Sequence, residues 1–495
     1  MQFNTYIYAL AFLPITAIGY FLINRFNYSA AKIFLVAASA LFYIYAGIEG
    51  FKWLVISMAV NYILTLLLKK RKSKWILWVG IILDVALLFY FKYTNFAITS
   101  INEFWQKDIT ALSLVLPIGI SFFTFQQIGY LVDTYRGETT ENTILDYLLY
   151  VTFFPKILMG PITKQSELIP QFHDESKRKV SSNNLISGIQ MFTIGFFKKV
   201  IIADTFAKAV TWAWKIGDFG QITAMDTFLV MIAYTFQIYF DFSGYSDMAI
   251  GLGKMFNIEL PINFNSPYKA CSVKELWQRW HMTLSRFFIQ YVYIPLGGSR
   301  KGKARTIFNT FMVFFLSGLW HGANWTYIAW GSMQGLLVIW DNLGIVGVKG
   351  SNEKMPAKWY IPRWLGWIFT FGFFNLSLIF FGSSSMTSAI QLFKNIFAFK
   401  NTGYLFKLAA NLDIPEFYLI KQVLTLKFPD MLQYAYVVLF LLLLVISAVV
   451  ISRKNTLQMV AENPFRKKLC AWVVFIFVWS VITFSQVSTF IYFNF

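Results

Sequence analysis

The sequence predicts an all-α integral membrane protein, a polytopic helical bundle of ~12 spans with additional re-entrant segments. Three observations lead to this prediction: the composition, the recurrence of long apolar runs and the placement of the basic residues. Of the 495 residues, 57% are hydrophobic and 14% are charged, whereas soluble domains carry about 25% charged residues. A water-soluble protein of this composition would expose more apolar surface than water tolerates, so the composition disfavours one large soluble core.

Apolar runs long enough to cross a bilayer, about 17–25 residues each, recur along the chain. These runs are 5–23, 31–48, 52–68, 75–93, 111–132, 184–203, 223–242, 364–383, 432–451 and 469–487. A shorter pair of runs, 305–320 and 325–341, flanks the sequence WHGAN. The first run lacks a basic region and a small-residue cleavage site, so we interpret it as a retained helix rather than a signal peptide.

The formal charge of +19 is concentrated in short connections between apolar runs, in clusters at 69–74, 300–305 and 453–468. Lys and Arg accumulate in cytoplasmic loops beside membrane spans, so these clusters place both termini outside. The 384–431 connection, placed outside, also carries five lysines, but long loops obey this rule weakly. This distribution argues against nucleic acid as a partner. It suits contact with anionic lipid and attraction of an anionic donor such as a nucleotide thioester.

No metal or cofactor motif is visible in the sequence. The two cysteines, Cys271 and Cys470, lie far apart and fit neither a disulfide framework nor a metal site. The chain has three histidines in all, too few for a histidine-rich metal site. We therefore expect no metal and no tightly bound cofactor.

The chain divides into three parts by character. Residues 1–110 have the pattern of plain transmembrane hairpins, and residues 342–495 that of a transmembrane scaffold. Between them, in residues 111–341, Pro, Gly and polar residues interrupt the apolar segments, and segment 144–161 is predicted to be a re-entrant half-helix. Non-helical backbone at membrane depth is tolerated where protein buries it or where it lines a wet cavity. We therefore expect the chemistry in residues 111–341.

His321 is the first candidate for that chemistry. It lies in SGLWHGANW (317–325), between two short apolar segments. A tight turn there lies within the membrane or at its outer edge, where an ionisable residue is a functional candidate. Imidazole suits proton transfer near neutral pH, and Trp320 and Trp325 are expected to wall the site. The alternative is a histidine held structurally by a neighbouring helix.

A second histidine, His281, lies in KELWQRWHMTLSRFF (274–288). With helical spacing, Trp277 and His281 share one face and Arg279 lies on the other, which is the pattern of an interfacial amphipathic helix. His281 is then expected to face from the cytosolic interface toward the interior. A hydrogen bond that anchors the helix fits this pattern as well as a role in the chemistry does.

A polar patch, YFDFSGYSDMAIG (239–251), follows directly after an apolar span. Its polar side chains include Asp241, Ser243, Tyr245, Ser246 and Asp247. Their spacing fits an interior structural network and also a substrate-positioning one. His173 lies in a charged loop and is predicted to be solvated. Together these residues indicate an intramembrane site with a candidate general base, but they do not name the reaction.

Several motifs occur together in one order along the chain. They are FFPKILMGPI (153–162), FFKKVIIAD (196–204), DFSGYSDMAIGLGKMFNIELPINFNSPY (241–268), LWQRWHMTLSRFF and YVYIPLGGSR within 276–300, GLWHGANWTYIAWG (318–331) and the ending FIYFNF. In this order they resemble the membrane-bound O-acyltransferase (MBOAT) superfamily, and within it most of all the branch of alginate O-acetyltransferases. The resemblance covers nearly the whole chain.

This resemblance implies a helical bundle around a funnel or tunnel, in the inner or plasma membrane. By the family's pattern, His321 matches the catalytic histidine and His281 the second characteristic histidine. The implied donor is cytosolic acetyl-CoA. The implied acceptor is an extracytoplasmic polysaccharide or cell-wall polymer, usually reached through a partner transferase of the serine-esterase-like type. The sequence departs from the branch at 289–291, where relatives often read WFRDY, and at Gln334, where many have histidine. Because of these departures, details of substrate recognition in that branch cannot be carried over to this chain.

We therefore expect an O-acyltransferase in which His321 removes the proton of an acceptor hydroxyl while that hydroxyl attacks the thioester carbonyl. Asn324 or nearby backbone N–H groups are the expected oxyanion donors, and His281 is expected to position the donor. The expected substrate-binding residues are Asn324, Trp320, Asp241, Ser243, Tyr245, Asp247, Trp277 and Arg279. Two alternatives remain: a D-alanyl or lipid acyltransferase of the same superfamily, and a transporter or polymer-export protein. Broken helices are typical of transporters, but no inverted repeat is visible.

Overall fold

The computed structural model describes residues 3, 5–139, 143–215, 222–349, 357–398, 403–412, 414–462, 464–483 and 490–491. In the N-terminal part the helices are α1 Leu13–Asn24, α2 Tyr28–Ala46, α3 Ile48–Lys70, α4 Lys74–Leu88, α5 Thr94–Trp105, α6 Ile120–Arg136, α7 Ile144–Thr152 and α8 Gln165–His173. The central helices are α9 Ser182–Phe197, α10 Asp204–Lys215, α11 Ala224–Met255, α12 Val273–Arg279, α13 Met282–Phe288, α14 Lys303–His321 and α15 Trp325–Asn342.

The C-terminal helices are α16 Arg363–Gly382, α17 Met386–Asn395, α18 Tyr404–Ala410, α19 Tyr418–Lys427, α20 Pro429–Ser452, α21 Thr456–Glu462 and α22 Lys467–Thr483. Short 3₁₀ turns cover Glu175–Arg178, Pro267–Lys269 and Pro415–Phe417. Two three-residue strands, β1 Val346–Val348 and β2 Trp359–Ile361, pair in parallel between α15 and α16.

Six helical segments of the described residues are long and apolar enough to cross a membrane. They are Tyr28–Ala46, Ile48–Lys70, Lys74–Trp105, Ser182–Lys215, Arg363–Gly382 and Pro429–Ser452. The prediction of an all-α, multi-pass membrane protein is therefore confirmed. The number of ~12 spans stays a prediction.

Two of these spans are continuous because π-helical turns join their halves. Phe89–Tyr93 links α4 to α5, and Lys198–Ala203 links α9 to α10. Further π turns cover Tyr8–Phe12, before α1, and Ile289–Tyr293, after α13. Such turns are rare in α-helices and frequently mark functional positions.

The predicted apolar run 111–132 is only partly a helix, because α6 begins at Ile120 and residues 106–117 have no regular secondary structure. Two asparagines of α5 hold this segment. The side-chain amide of Asn102 donates to the carbonyl of Ile109 and accepts from its N–H, both at 2.9 Å. Asn95 makes the same pair of 2.9 Å bonds to Leu112. Because these amides satisfy backbone groups of the segment, it does not have to become helical.

Segment 144–161 has the short helix followed by buried non-helical backbone that a re-entrant half-helix requires. Helix α7 starts with a capping box, in which Thr143 Oγ1 accepts from the N–H of Asp146. The loop after α7 is buried throughout, and it contains the fully buried Lys156, whose ammonium donates to Gln126 Oε1 at 2.7 Å. Buried irregular backbone of this kind borders the site described below.

Helices α9 and α11 pack closely because glycines face each other at two levels. A Cβ on Gly188 would lie 2.6 Å from the carbonyl oxygen of Gly251, and one on Gly195 would lie 2.5 Å from that of Gly244. Small residues of this type let membrane helices approach closely. Helices α14 and α15 also approach closely at a glycine, since a Cβ on Gly318 would lie 2.4 Å from the carbonyl oxygen of Tyr327.

Candidate active site

His321 is the last residue of α14, at the point where the chain turns into α15. The turn is short because Asn324 caps α15: its Oδ1 accepts from the N–H of Thr326 at 3.0 Å, and its amide donates to the carbonyl of Ser384 at 2.8 Å. The close approach of α14 and α15 buries the histidine, which is 2% exposed. An ionisable side chain is thus held inside the bundle by its own hairpin.

Aromatic rings surround the imidazole of His321. Ring centroids of Trp320, Trp330 and Phe381 lie 5.0, 5.2 and 5.3 Å from it. Trp330 comes from α15 and Phe381 from the end of α16, so three helices contribute to this cage. Trp320 is predicted by the sequence to wall the site, whereas the contacts of Trp330 and Phe381 with the histidine depend on the packing of α15 and α16. The cage therefore surrounds the imidazole of His321 with aromatic groups from three helices.

His281 lies between α12 and α13, and here the predicted amphipathic helix over 274–288 is wrong. His281 has φ +43°, in the left-handed region, and together with the extended Trp280 before it this residue divides the helix in two. Histidine is one of the residues that tolerate this conformation best among those with a side chain. In α12 the buried residues are Val273, Leu276 and Trp277, in α13 four of the seven residues are buried, and His281 itself is 0% exposed. Its ring lies 4.7 Å from that of Phe242.

The structure brings the two predicted histidines to one indole ring. The centroid of Trp320 lies 6.0 Å from that of His281 and 5.0 Å from that of His321. Within the described part of the chain, neither ring nitrogen of His281 makes a hydrogen bond to another residue. A buried imidazole without such a bond is unusual, because burying a polar group without a partner is unfavourable.

A cavity of about 50 Å³ adjoins His321. Its lining residues include Lys92, residues 116–122, Leu158, Met159, Trp320 and His321. The irregular backbone of segments 106–119 and 153–163 therefore meets the histidine hairpin here, as expected for broken elements that line a cavity. Lys92 is not among the predicted site residues, although its position inside the apolar run 75–93 is a sequence signal for a functional residue.

On the other side of Trp320, aromatic side chains fill the space. The ring of Phe125 stacks on that of Phe287 at 4.1 Å and on that of Trp320 at 5.5 Å. Beyond these rings a small cavity is lined by Lys164, Arg286 and other residues, and Arg286 is bonded to Glu167 and to the carbonyl of Ile162. The stacked rings therefore separate a polar region around Arg286 from the cavity at His321.

Trp277 lies one layer behind the cage, while Arg279 lies apart from it. The indole N–H of Trp277 donates to Gln334 Oε1 at 3.2 Å, and its ring lies 5.7 Å from that of Trp330, which contacts His321. Gln334 also donates to Ser377 Oγ at 2.8 Å, so it links α15 to α16. Arg279 pairs with Glu275 on α12 instead, at 2.8 Å.

The polar patch on α11 forms buried ion pairs away from the cavity. Asp247 accepts from Lys198 Nζ and from Thr456 Oγ1, both at 2.6 Å. Asp241 accepts from Lys199 Nζ at 2.6 Å and from the backbone N–H of Ile491 at 3.0 Å. These contacts connect α11 to the π turn after α9, to α21 and to the C-terminal segment.

The other two residues of this patch that were predicted to bind substrate are also buried. Ser243 and Tyr245 are each 1% exposed. The ring of Tyr245 packs against those of Phe3 and Phe490, at 5.0 and 4.9 Å. None of the four predicted residues on α11 is among those that line the cavity at His321.

The sequence is similar to a family of acyltransferases and to several of its members. The model of the membrane-bound O-acyltransferase family matches residues 140–383, which include both buried histidines. The chain is 39% identical over 433 residues to the peptidoglycan O-acetyltransferase of Helicobacter pylori, covering 80% of both chains. The chain belongs to the membrane-bound O-acyltransferase family. This confirms the resemblance found in the motifs, and it makes the protein an acyltransferase and a multi-pass membrane enzyme.

Other members of the family are similar over shorter or equal stretches. The probable alginate O-acetylase AlgI of Pseudomonas aeruginosa is 34% identical over 415 residues, which is 81% of this chain and 75% of that protein. The teichoic acid D-alanyltransferase of Streptococcus thermophilus is 30% identical over 285 residues, 54% of this chain and 69% of that protein. The similarity to the two acetylating relatives thus extends over more of this MBOAT chain.

Within the described residues of this acyltransferase, no group of three or more His, Cys, Asp or Glu side chains is placed to hold a metal ion. The groups at the candidate site are instead the imidazole of His321, the ammonium of Lys92, the hydroxyl of Ser121 and the aromatic rings that line the cavity. Such a set is suited to moving a proton and to excluding water.

Proposed function

We propose that this acyltransferase passes an acetyl group from cytosolic acetyl-CoA toward a polysaccharide or cell-wall polymer outside the cell membrane, with His321 as general base. The observation that carries the proposal is the burial of His321 in the wall of a cavity, where Lys92 lies beside it. The family and the longer similarity to two acetylating relatives support acetyl as the group transferred.

In the proposed step, the acceptor hydroxyl oxygen forms a bond to the acetyl carbonyl carbon while His321 takes the hydroxyl proton. The carbon–sulfur bond then breaks, and the imidazolium returns the proton to the departing thiolate. Asn324 keeps the proposed oxyanion role, because its amide donates one N–H to the carbonyl of Ser384 and has a second N–H for an oxyanion. His281 is proposed to position the donor on the inner side of Trp320.

The placement of substrates follows from the charge pattern. With the basic clusters in the cytosol, the end of α14 lies toward the outer face and Arg286 toward the inner face. Because the thioester is available inside and the polymer lies outside, an acetyl group that moves past Trp320 crosses from the side of the donor to the side of the acceptor.

We further propose that an extracytoplasmic serine-esterase-like transferase accepts the acetyl group and transfers it to the polymer.

The test uses envelopes of the source cell that lack the native gene and carry the cloned one, so that any partner is present. Acetyl-CoA with a labelled acetyl group is added, and base-labile label in the polymer fraction is measured. Label that depends on the gene and appears as acetate supports the proposal. Base-released alanine is measured in the same fraction without label, and gene-dependent alanyl ester without labelled acetate would overturn acetyl transfer in favour of the second candidate, D-alanyl transfer, which the similarity to a D-alanyltransferase favours.

A further inference from the structure

Lys92 is an ammonium placed inside an apolar span. It lies on the π turn Phe89–Tyr93, within the continuous helix Lys74–Trp105. Its three hydrogen bonds in the described structure go to uncharged oxygens: to the carbonyl of Trp320 at 2.5 Å, and to the carbonyl of His321 and Ser121 Oγ at 3.4 Å each. A charged group in a membrane span is unfavourable unless its contacts compensate for the loss of water. The three contacts of Lys92 therefore have to supply that compensation.

The contacts coincide with the end of α14. The last four carbonyls of an α-helix have no partner within the helix. In α14 each of them finds one. The carbonyl of Gly318 accepts from Gly322 N–H at 3.4 Å, and that of Leu319 accepts from the hydroxyl of Tyr93 at 2.9 Å. The remaining two, of Trp320 and His321, accept from Lys92.

The charge of Lys92 also suits this position. The C-terminus of a helix carries a partial negative charge, and a cation there is stabilising, most of all when it is partly buried. The ammonium lies 5.8 Å from the ring centroid of Trp320, a favourable distance for a cation near an indole. The π turn matters because it sets Lys92 and Tyr93, adjacent residues, against consecutive carbonyls of one helix end.

We propose that Lys92 is a positioning residue for His321: by capping the end of α14, its ammonium fixes the backbone of His321 and the ring of Trp320 at the cavity. The inference rests on the proposed role of His321 as general base. A misplacement of about 1 Å in a catalytic group lowers a rate by about 100-fold. Lys92 therefore contributes to the rate although the carbonyls, not the imidazole, are its partners.

The test compares Lys92→Met with Lys92→Arg in the labelled-acetate assay, across a range of acetyl-CoA concentrations. We expect Lys92→Met to lower kcat by about 100-fold with little change in the KM for acetyl-CoA. Lys92→Arg keeps the charge and the donors, so we expect it to recover to within about tenfold of wild type. The matched control is Lys52→Met, since Lys52 is an exposed lysine of α3 that pairs with Glu49 on the same helix.

The amount of folded protein is measured by gel filtration in detergent for every variant, and rates are expressed per folded protein. If Lys92→Met keeps a wild-type rate while His321→Ala is inactive, the inference is wrong and the proposed function stands. An equal loss of rate in folded Lys92→Met and folded Lys92→Arg would also overturn the inference, because the capping of α14 would then not depend on the positive charge. An active His321→Ala would overturn the proposed function, and the inference with it.

Discussion

The indole ring of Trp320 lies 6.0 Å from the imidazole ring of His281, at an angle of 67°. The same indole adjoins His321 in sequence and in space, so one side chain contacts both histidines. The ring also stacks with Phe125, which closes the space toward Arg286. Trp320 therefore links the two histidines through one aromatic ring.

Replacing Trp320 tests this arrangement. We expect Trp320→Ala to lower the transfer rate by about 100-fold, because both imidazoles lose a wall and shift, and to destabilise the protein by about 3–5 kcal/mol. Trp320→Phe keeps an aromatic ring and is expected to retain more than a tenth of the rate. Labelled acetate in polymer is measured per folded protein. Trp75→Ala, at an 82% exposed tryptophan, is the control, and a fully active Trp320→Ala would contradict the account.

The backbone and the ring of His281 can be separated by mutation. His281→Asn keeps a residue that tolerates φ +43°, so we expect it to fold to near wild-type amounts while losing about 10–100-fold in rate. His281→Val places a β-branched residue in the left-handed region, so we expect the amount of folded protein itself to fall. Gel filtration and the transfer assay distinguish the two effects. A fully active His281→Asn would leave His281 with a structural role alone.

The glycine contacts between α9 and α11 predict which substitutions the bundle rejects. A Cβ on Gly251 would lie 2.6 Å from the carbonyl oxygen of Gly188, whereas a Cβ on Gly372 of α16 would meet no atom within 4 Å. We therefore expect Gly251→Ala to lower stability by about 1–3 kcal/mol and Gly372→Ala to be neutral or slightly stabilising. Thermal unfolding in detergent measures both. Equal midpoints for the two variants would show that α9 and α11 are farther apart than described.

The buried pair of Lys198 and Asp247 gives a test of the role predicted for Asp247. Removing one partner leaves a buried charge, so we expect Asp247→Ala to destabilise the protein by about 3–5 kcal/mol. The double variant Lys198→Met with Asp247→Leu removes both charges, and we expect it to recover most of the stability and to stay active. Thermal unfolding and the transfer assay are the measurements. A stable but inactive double variant would instead support substrate positioning by Asp247.

Much of the fold was predictable because bilayer thickness and the lack of water inside it constrain the sequence strongly. Apolar runs such as 31–48 and 432–451 correspond to α2 and α20 with small differences at the ends. The placement of His321 at a turn between two helices was predictable for the same reason, since short apolar runs flank it. The motifs around it then pointed to the family.

Other features depend on contacts that no local pattern encodes. Residues 111–117 are apolar enough to extend α6, but the side chain of Asn95 bonds the backbone of Leu112, and α6 begins only at Ile120. The break between α12 and α13 depends on two consecutive residues, the extended Trp280 and the left-handed His281, inside a sequence with helical periodicity. The pairing of Lys92 with the end of α14 joins residues more than two hundred positions apart. Only the three-dimensional packing reveals these.

The measurement that tests the central claim most directly is base-labile acetate on the surface polymers of the source cell after deletion of the gene. The deletion strain is complemented with wild type, His321→Ala or His173→Ala at equal protein levels, where His173 is an exposed histidine that contacts Asp146. We predict that wild type and His173→Ala restore the acetate and that His321→Ala lowers it by at least about 100-fold. Full restoration of acetate by His321→Ala would contradict the account.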